Sequence, residues 1–177
     1  MQVEPKIVPI FAKKLFAFQD DGEFNELRRL LLLWNDPTYL YEFVTLHKSD
    51  APKDKSTREV VRQIIEDANE IDTLLKRLIT TKHRSLGEFF KPLHNQEYRI
   101  LELSKQKGRN NYLRIYALRI DVDCYVITGG AIKFTHLMKE RPHTAKELLK
   151  IEQRRNYLID CGVSDADSFY ELLIELQ

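Results

Sequence analysis

Cysteine is scarce in this chain. Only Cys124 and Cys161 occur among 177 residues. No CxxC spacing relates them, and in a cytosolic chain of this size both read most simply as buried small hydrophobes rather than as a disulfide. No set of Cys, His and carboxylate residues has metal-ligand spacing, and no bound metal or cofactor is expected. Long apolar runs are missing: none approaches the roughly 20 residues that a membrane span needs. The start, MQVEPKIVPIF, carries an acid where a secretory signal would carry basic residues. The expectation is therefore a cytoplasmic protein with no membrane partner. Phosphate-loop and dinucleotide motifs are lacking, as are a G-x-S-x-G elbow and a Ser-His-Asp set. Charge of one sign is not in excess overall, the net being +1.

What is present fits one globular domain over 1–177. Apolar residues make up 43% and charged residues 31%, enough to build a core at this length. The charge is unevenly placed. Between Lys82 and Tyr157 there are 16 basic against 8 acidic residues, residues 1–81 carry 12 against 14, and the tail from Leu158 carries none against 5. A central surplus of that size admits a polyanion partner, although solvated helix and strand surfaces would account for it equally.

Along the chain, Ile7, Val8, Ile10 and Phe11 suit a first strand, while FAKKLFAF fits strand or helix. Phe24, Leu27, Leu30, Leu31 and Trp34 recur with helical spacing, which predicts a helix from Glu23 to Trp34. Asp36 as N-cap and Pro37 at the first position start a second helix running to about His47. Ser56-Thr57-Arg58-Glu59 has capping-box spacing and starts the longest helix, to about Thr81. Ile100–Lys105, Tyr112–Ile120 and Cys124–Thr128 read as three antiparallel strands, with a tight connection at Asp121-Val122-Asp123. Gly129-Gly130 permits a bulge or sharp turn. Thr144-Ala145-Lys146-Glu147 reads as a second capping box, Gly162 as the end of that helix, and Ser164 as the cap of a last one. The order is strand, helices, three strands, helices. That predicts an α+β fold, a small mainly antiparallel sheet packed with helices.

The candidate chemistry centres on the middle strand. There Leu113, Ile115 and Ala117 alternate with Tyr112, Arg114 and Tyr116. Arginine can clamp a phosphate through two hydrogen bonds, and tyrosine offers a stacking surface for an unpaired base. Equally, the tyrosines could cover the core edge while Arg114 pairs with Glu102 or an aspartate. Lys105, Lys107 and Arg109 cluster before this strand, and Lys133, Lys139 and Arg141 follow the last one. Cations converging over Arg114 would suit phosphoryl chemistry. His143 is either an acid/base group at a helix start or a loop residue.

The segments FKPLHN, ILELSKQKGRNNYLRIYALRI and CYVITGGAIKFT, followed by a Lys/Arg-bearing loop and helix, resemble RelE/HigB-like toxins of type II toxin–antitoxin modules, and in particular long bacterial proteins with an ITGGAIK…MKERPHT stretch. The resemblance covers roughly 89–157. It implies a RelE-like sheet over about 86–160, enlarged by a helical insertion over about 20–85 and a C-terminal helix over 164–177. It implies an endoribonuclease that cleaves mRNA, usually on the ribosome, without a metal, and that an antitoxin restrains. The ribose 2′-hydroxyl would attack the neighbouring phosphate while basic residues serve as base, acid and clamp. Arg114 matches the arginine of the family's "yRi.Y" strand, and Lys133 and Thr135 match the first lysine and the threonine of its "KKT" turn. Lys105 lies near the arginine of "ELR", although Ser104 stands at the aligned position and Phe134 replaces the second lysine. The implied catalytic set is Arg114, Lys133 and Lys105. Tyr112, Tyr116, Lys107, Arg109, Lys139, Arg141 and His143 would contact RNA. The alternative is a RelE-fold protein that binds nucleic acid or protein without cleaving. The insertion would block ribosome docking, cover the basic face or enlarge the core, and the acidic helices or tail would restrain the basic strands.

Overall fold

The computed structural model describes residues 3–11, 13–81, 86–92, 102–107, 112–134 and 141–177, giving backbone alone at 78, 79, 88, 91, 92 and 102–107. The chain opens with a hairpin, β1 (Lys6–Phe11) and β2 (Leu15–Gln19). Both readings of FAKKLFAF thus resolve in favour of strand, with a second strand that the sequence did not separate from the first. Three helices follow: α1 (Glu26–Leu33), α2 (Pro37–Leu46) and α3 (Thr57–Thr80). Then come a 3-10 turn (Leu86–Glu88), β3 (Lys91–Pro92), β4 (Glu102–Lys107), β5 (Leu113–Asp121) and β6 (Cys124–Ile132). Helices α4 (Pro142–Asp160) and α5 (Ala166–Glu175) close the chain. The strands form one sheet in the order β1-β2-β6-β5-β4-β3, antiparallel throughout except where β2 runs parallel to β6. The architecture is α+β, with a small, mainly antiparallel sheet packed against helices.

Capping chemistry sets most helix starts. The Asp36 side chain accepts from the backbone N–H groups of Thr38 and Tyr39, and Ser56 and Glu59 form a reciprocal capping box, each cap contributing about 1 kcal/mol. Two expected caps are corrected. Pro142, not Ala145, opens α4, because proline needs no N–H partner in a first turn. Arg141 stands at the N-cap without a side-chain bond to the N–H groups of the first turn, and the Thr144 hydroxyl donates back to Arg141 O at 3.0 Å. Asp165 rather than Ser164 caps α5, in a box with Ser168. Gly162 ends α4 at φ 81°, the left-handed conformation glycine adopts without strain.

Helices cover both faces of the sheet. Leu113, Ile115, Ala117, Tyr125 and Ile127 meet Leu30 and Trp34 of α1 and its C-cap, Leu40 and Val44 of α2, and Val60, Ile64, Ala68 and Ile71 of α3. Tyr116, Leu118, Ile120, Cys124 and Val126 on the other face meet Ile151 and Leu158 of α4 and Phe169 and Leu172 of α5. A bulge at Thr128, where Tyr116 pairs Gly129 and Ala117 pairs Ile127, reverses the facing of the rest of β6. Ala131 therefore joins the α4 face and Ile132 the α3 face. The acidic tail is held by its apolar stripe, with the Phe169 ring edge-on to Phe16 at 5.0 Å. Burying Phe169 and Leu172 stabilises by about 2 kcal/mol each, so removing 164–177 would open the core as well as remove charge.

Asp67 on α3 is a local exception to good packing. It is 8% exposed, and its Oδ2 has no hydrogen-bond partner. Burial, with Glu70 and Glu66 adding, pushes its carboxyl up to about 6 from an ordinary 3.8. The folded chain therefore binds more protons than the unfolded chain between those values, and stability falls as pH rises through the window. Asp67→Asn is expected to stabilise by about 2 kcal/mol at pH 7.5 and by little at pH 4. Urea unfolding at the two pH values checks this, and an equal gain at both would refute it.

Candidate functional site

Most described residues of the expected site gather where β5 begins and β6 ends. Register sets Lys107 of β4 and Ala131 of β6 on either side of Arg114, and Lys105 and Gly129 on either side of Tyr116. Residues directly opposite in antiparallel strands share a face. Lys107 and Arg114 are therefore neighbouring positions at one end of the sheet, and Lys105 and Tyr116 the next pair along. Just past β6, the Lys133 backbone N–H donates to Tyr112 O at 2.7 Å. Three strands thus deliver Lys107, Arg114 and Lys133 to one end.

The side chains narrow what each residue can do. Arg114 is half-buried, and its Nη1 donates to Leu113 O at 2.8 Å. Burial pulls its guanidinium below the ordinary value, with Tyr116 opposing. Lys133 is 8% exposed, so it sits within the fold rather than on a loop in solvent. Tyr116 is 1% exposed and belongs to the core beneath α4. Burial, opposed by Arg114, raises its hydroxyl far above its ordinary value. The expected stacking role for Tyr116 is therefore corrected: α4 and α5 occupy the face it would present. Tyr112 parts from Arg114, packing edge-on to Phe134 at 5.0 Å on the α3 side. Burial pushes Cys124 up to about 12, as expected of a packed thiol. Arg109 and Lys139 lie outside the described residues, as does Thr135.

The entry to α4 closes this end. Arg141 is expected to contact RNA, yet both its Nε and Nη2 donate to the Asp50 carboxylate, a bidentate pair. That bond holds Asp50 below the usual carboxylate range. His143 lies within the first turn of α4 rather than before the cap, and its Nε2 bonds Ile132 O at 2.7 Å. Its ring meets Phe43 at 5.2 Å and His47 at 4.7 Å. Burial, with His143 adding and Asp50 opposing, lowers His47 below its ordinary value. Sequence reasoning missed Phe43, His47 and Asp50. They lie 91 or more residues before their partners, and nothing local marks them. It also passed over Glu147 of α4, which rests against Gly129, and Glu26 of α1, which accepts from Lys150 of α4 at 2.5 Å.

A cleft of about 730 Å³ lies between α1 and α4, lined in part by Asp20, Glu26, Arg29, Glu147, Lys150 and Arg154. Its charges largely neutralise one another. Glu26 takes Arg29 and Lys150, and Asp20 takes Arg154. Among the described residues, no group of three or more His, Cys, Asp or Glu is placed to hold a metal ion, and no helix is long and apolar enough to cross a membrane. No protein-family model, curated protein or solved structure matches the chain.

Proposed function

We propose that this protein is a RelE/HigB-like toxin, a metal-independent endoribonuclease that acts in the cytoplasm on mRNA or on ribosome-bound mRNA and is restrained by an antitoxin. The observation that carries the reading is the register that sets Lys107 beside Arg114, with Lys133 at the same end of the sheet. Cations from three strands suit a phosphate that gains negative charge as the 2′-hydroxyl attacks, because preorganised donors stabilise that charge without rearranging. Arg114 and Lys107 are the positions for phosphate contact, Lys105 lies one pair further along the same two strands, and the buried Lys133 adds field from below. The proton moves from the 2′-oxygen to a base as the O2′–P bond forms and the P–O5′ bond breaks, and an acid gives a proton to the leaving 5′-oxygen. The products are a 2′,3′-cyclic phosphate and a 5′-hydroxyl.

Expression in a bacterial host is expected to arrest growth and to leave new 5′ ends in cellular mRNA, read by primer extension. Arg114→Gln is expected to lower cleavage roughly 100-fold or more while leaving the circular dichroism melt in place. A second reading, a RelE-fold protein that binds without cleaving, draws on two observations. Tyr116 is buried and Arg141 is tied to Asp50, which removes a base-stacking surface and a cation from this end. Normal growth together with RNA binding would select that reading.

A further inference from the structure

The contact between the end of α2 and the start of α4 joins the helical insertion to the candidate site. His47 and Asp50 come from one side, Arg141 and His143 from the other. Phe43 links the same parts, meeting His47 at 4.3 Å, His143 at 5.2 Å and Phe134 at 6.1 Å. Phe134 in turn meets Tyr112, whose carbonyl accepts from Lys133 N–H. The contact is thus continuous with the end of the sheet that holds Arg114. Its bonds also depend on proton count. His143 Nε2 donates to Ile132 O, and its Nδ1 is buried and has no partner. A proton on His47 would place a cation against that ring and beside Arg141. The charged groups that act on His47 are Asp50 after α2 and Arg141 at the N-cap of α4, and Lys48 and Lys133 are the next residues along the chain from His47 and Ile132. Asp50 would then face two cations, Arg141 and His47.

We infer that His47, Asp50, Arg141 and His143 form an acid-opened clasp, closed at neutral pH, that holds the helical insertion over the phosphate-binding end of the sheet. The clasp itself stands on these contacts. What it covers rests on the proposed function. At neutral pH the His47 ring stays uncharged, the Asp50–Arg141 pair is made, and Arg141 is withheld from RNA. His47 is held below its ordinary value, so the folded chain binds fewer protons than the unfolded chain, and the clasp weakens as pH falls below about 6.5.

Hydrogen exchange of the full chain, read by mass spectrometry and corrected for intrinsic rate, tests this at pH 7.5 and 5.5. Peptides from 40–47 and 142–148 are expected to lose protection tenfold or more at pH 5.5, while those from α5 do not. His47→Gln with His143→Gln is expected to abolish that difference. Equal protection at both pH values, or equal loss across the chain, overturns the clasp. Asp50→Asn opens the clasp without acid and is expected to bind a labelled 12-nucleotide single-stranded RNA at least threefold tighter than wild type at pH 7.5. Unchanged RNA affinity in a variant whose exchange shows an open clasp overturns the cover. RNA binding by neither protein overturns the function and leaves the clasp standing.

Discussion

Gly130→Ala is expected to destabilise the protein by about 3 kcal/mol, lowering Tm by roughly 10 °C at this size. A Cβ at Gly130 would lie 2.4 Å from Arg114 O, 2.8 Å from Leu30 Cδ1 and 3.2 Å from Trp34 Cη2. The carbonyl is the decisive neighbour. It belongs to the central strand β5 and cannot retreat without moving the ladder. Trp34 is 1% exposed and packed among Leu27, Leu30 and the sheet, so it has nowhere to turn. The adjacent Gly129→Ala provides the contrast. Its Cβ would meet Glu147 Oε2 at 2.3 Å, the far end of a flexible side chain that can swing out toward the cleft. About 1 kcal/mol is expected there. Denaturant unfolding of the two variants separates the cases, and equal losses would show that Gly130 is not held against backbone. Gly130→Ala should also disturb the site, because the carbonyl it presses belongs to Arg114.

Those two glycines show how far the sequence reaches. The pair reads as a bulge or turn. The bulge is there, one residue earlier at Thr128, but the glycines themselves lie extended inside β6. They are small because α1 approaches one face and α4 the other, a requirement of packing that no local pattern expresses. Where the signal is local the sequence is a good guide. Asp36 and Ser56 cap their helices as expected, although Thr144 and Ser164 do not. The alternation in β5 correctly sorts Leu113, Ile115 and Ala117 onto one face. It cannot say that the opposite face is also covered, which is why Tyr116 reads as a stacking residue and proves to be core. Two amphipathic helices after the last strand were the available sign, since each needs an apolar surface to cover. The site divides in the same way. The antiparallel pairing of these strands is legible, but the strand expected to end at Lys105 runs to Lys107, which is what pairs Lys107 with Arg114, whereas Asp50 on Arg141 and His47 on His143 depend on where chain 91 or more residues away comes to rest.

Glu26→Ala is expected to cost about 3 kcal/mol, because it strands two cations rather than removing one contact. Glu26 is 2% exposed in the first turn of α1 and accepts from Arg29 Nε at 3.1 Å, Arg29 Nη2 at 2.7 Å and Lys150 Nζ at 2.5 Å. Lys150 and Arg29 keep only 18% and 26% of their side chains in water, so neither is fully rehydrated once the carboxylate is gone. Glu147 limits the damage. Burial raises its carboxyl, with Lys150 opposing and Glu26 adding to the rise. Losing Glu26 therefore frees Lys150 to turn to Glu147 and favours the ionised form of that acid. A double-mutant cycle makes the compensation visible. Glu147→Gln alone should cost little, whereas in the Glu26→Ala background it should cost at least about 1 kcal/mol more, because the substitute partner is then missing. Additive costs would mean that Lys150 reaches solvent instead. Glu26→Met with Lys150→Met should recover part of the single-variant loss, since an apolar pair in a tight space avoids the desolvation that the ion pair only offsets. This network ties α1 of the insertion to α4, the same helix that Arg141 precedes as N-cap and whose first turn carries His143. Loosening it is therefore expected to raise exchange in α4 even at pH 7.5, where the histidine contact alone would keep that helix closed.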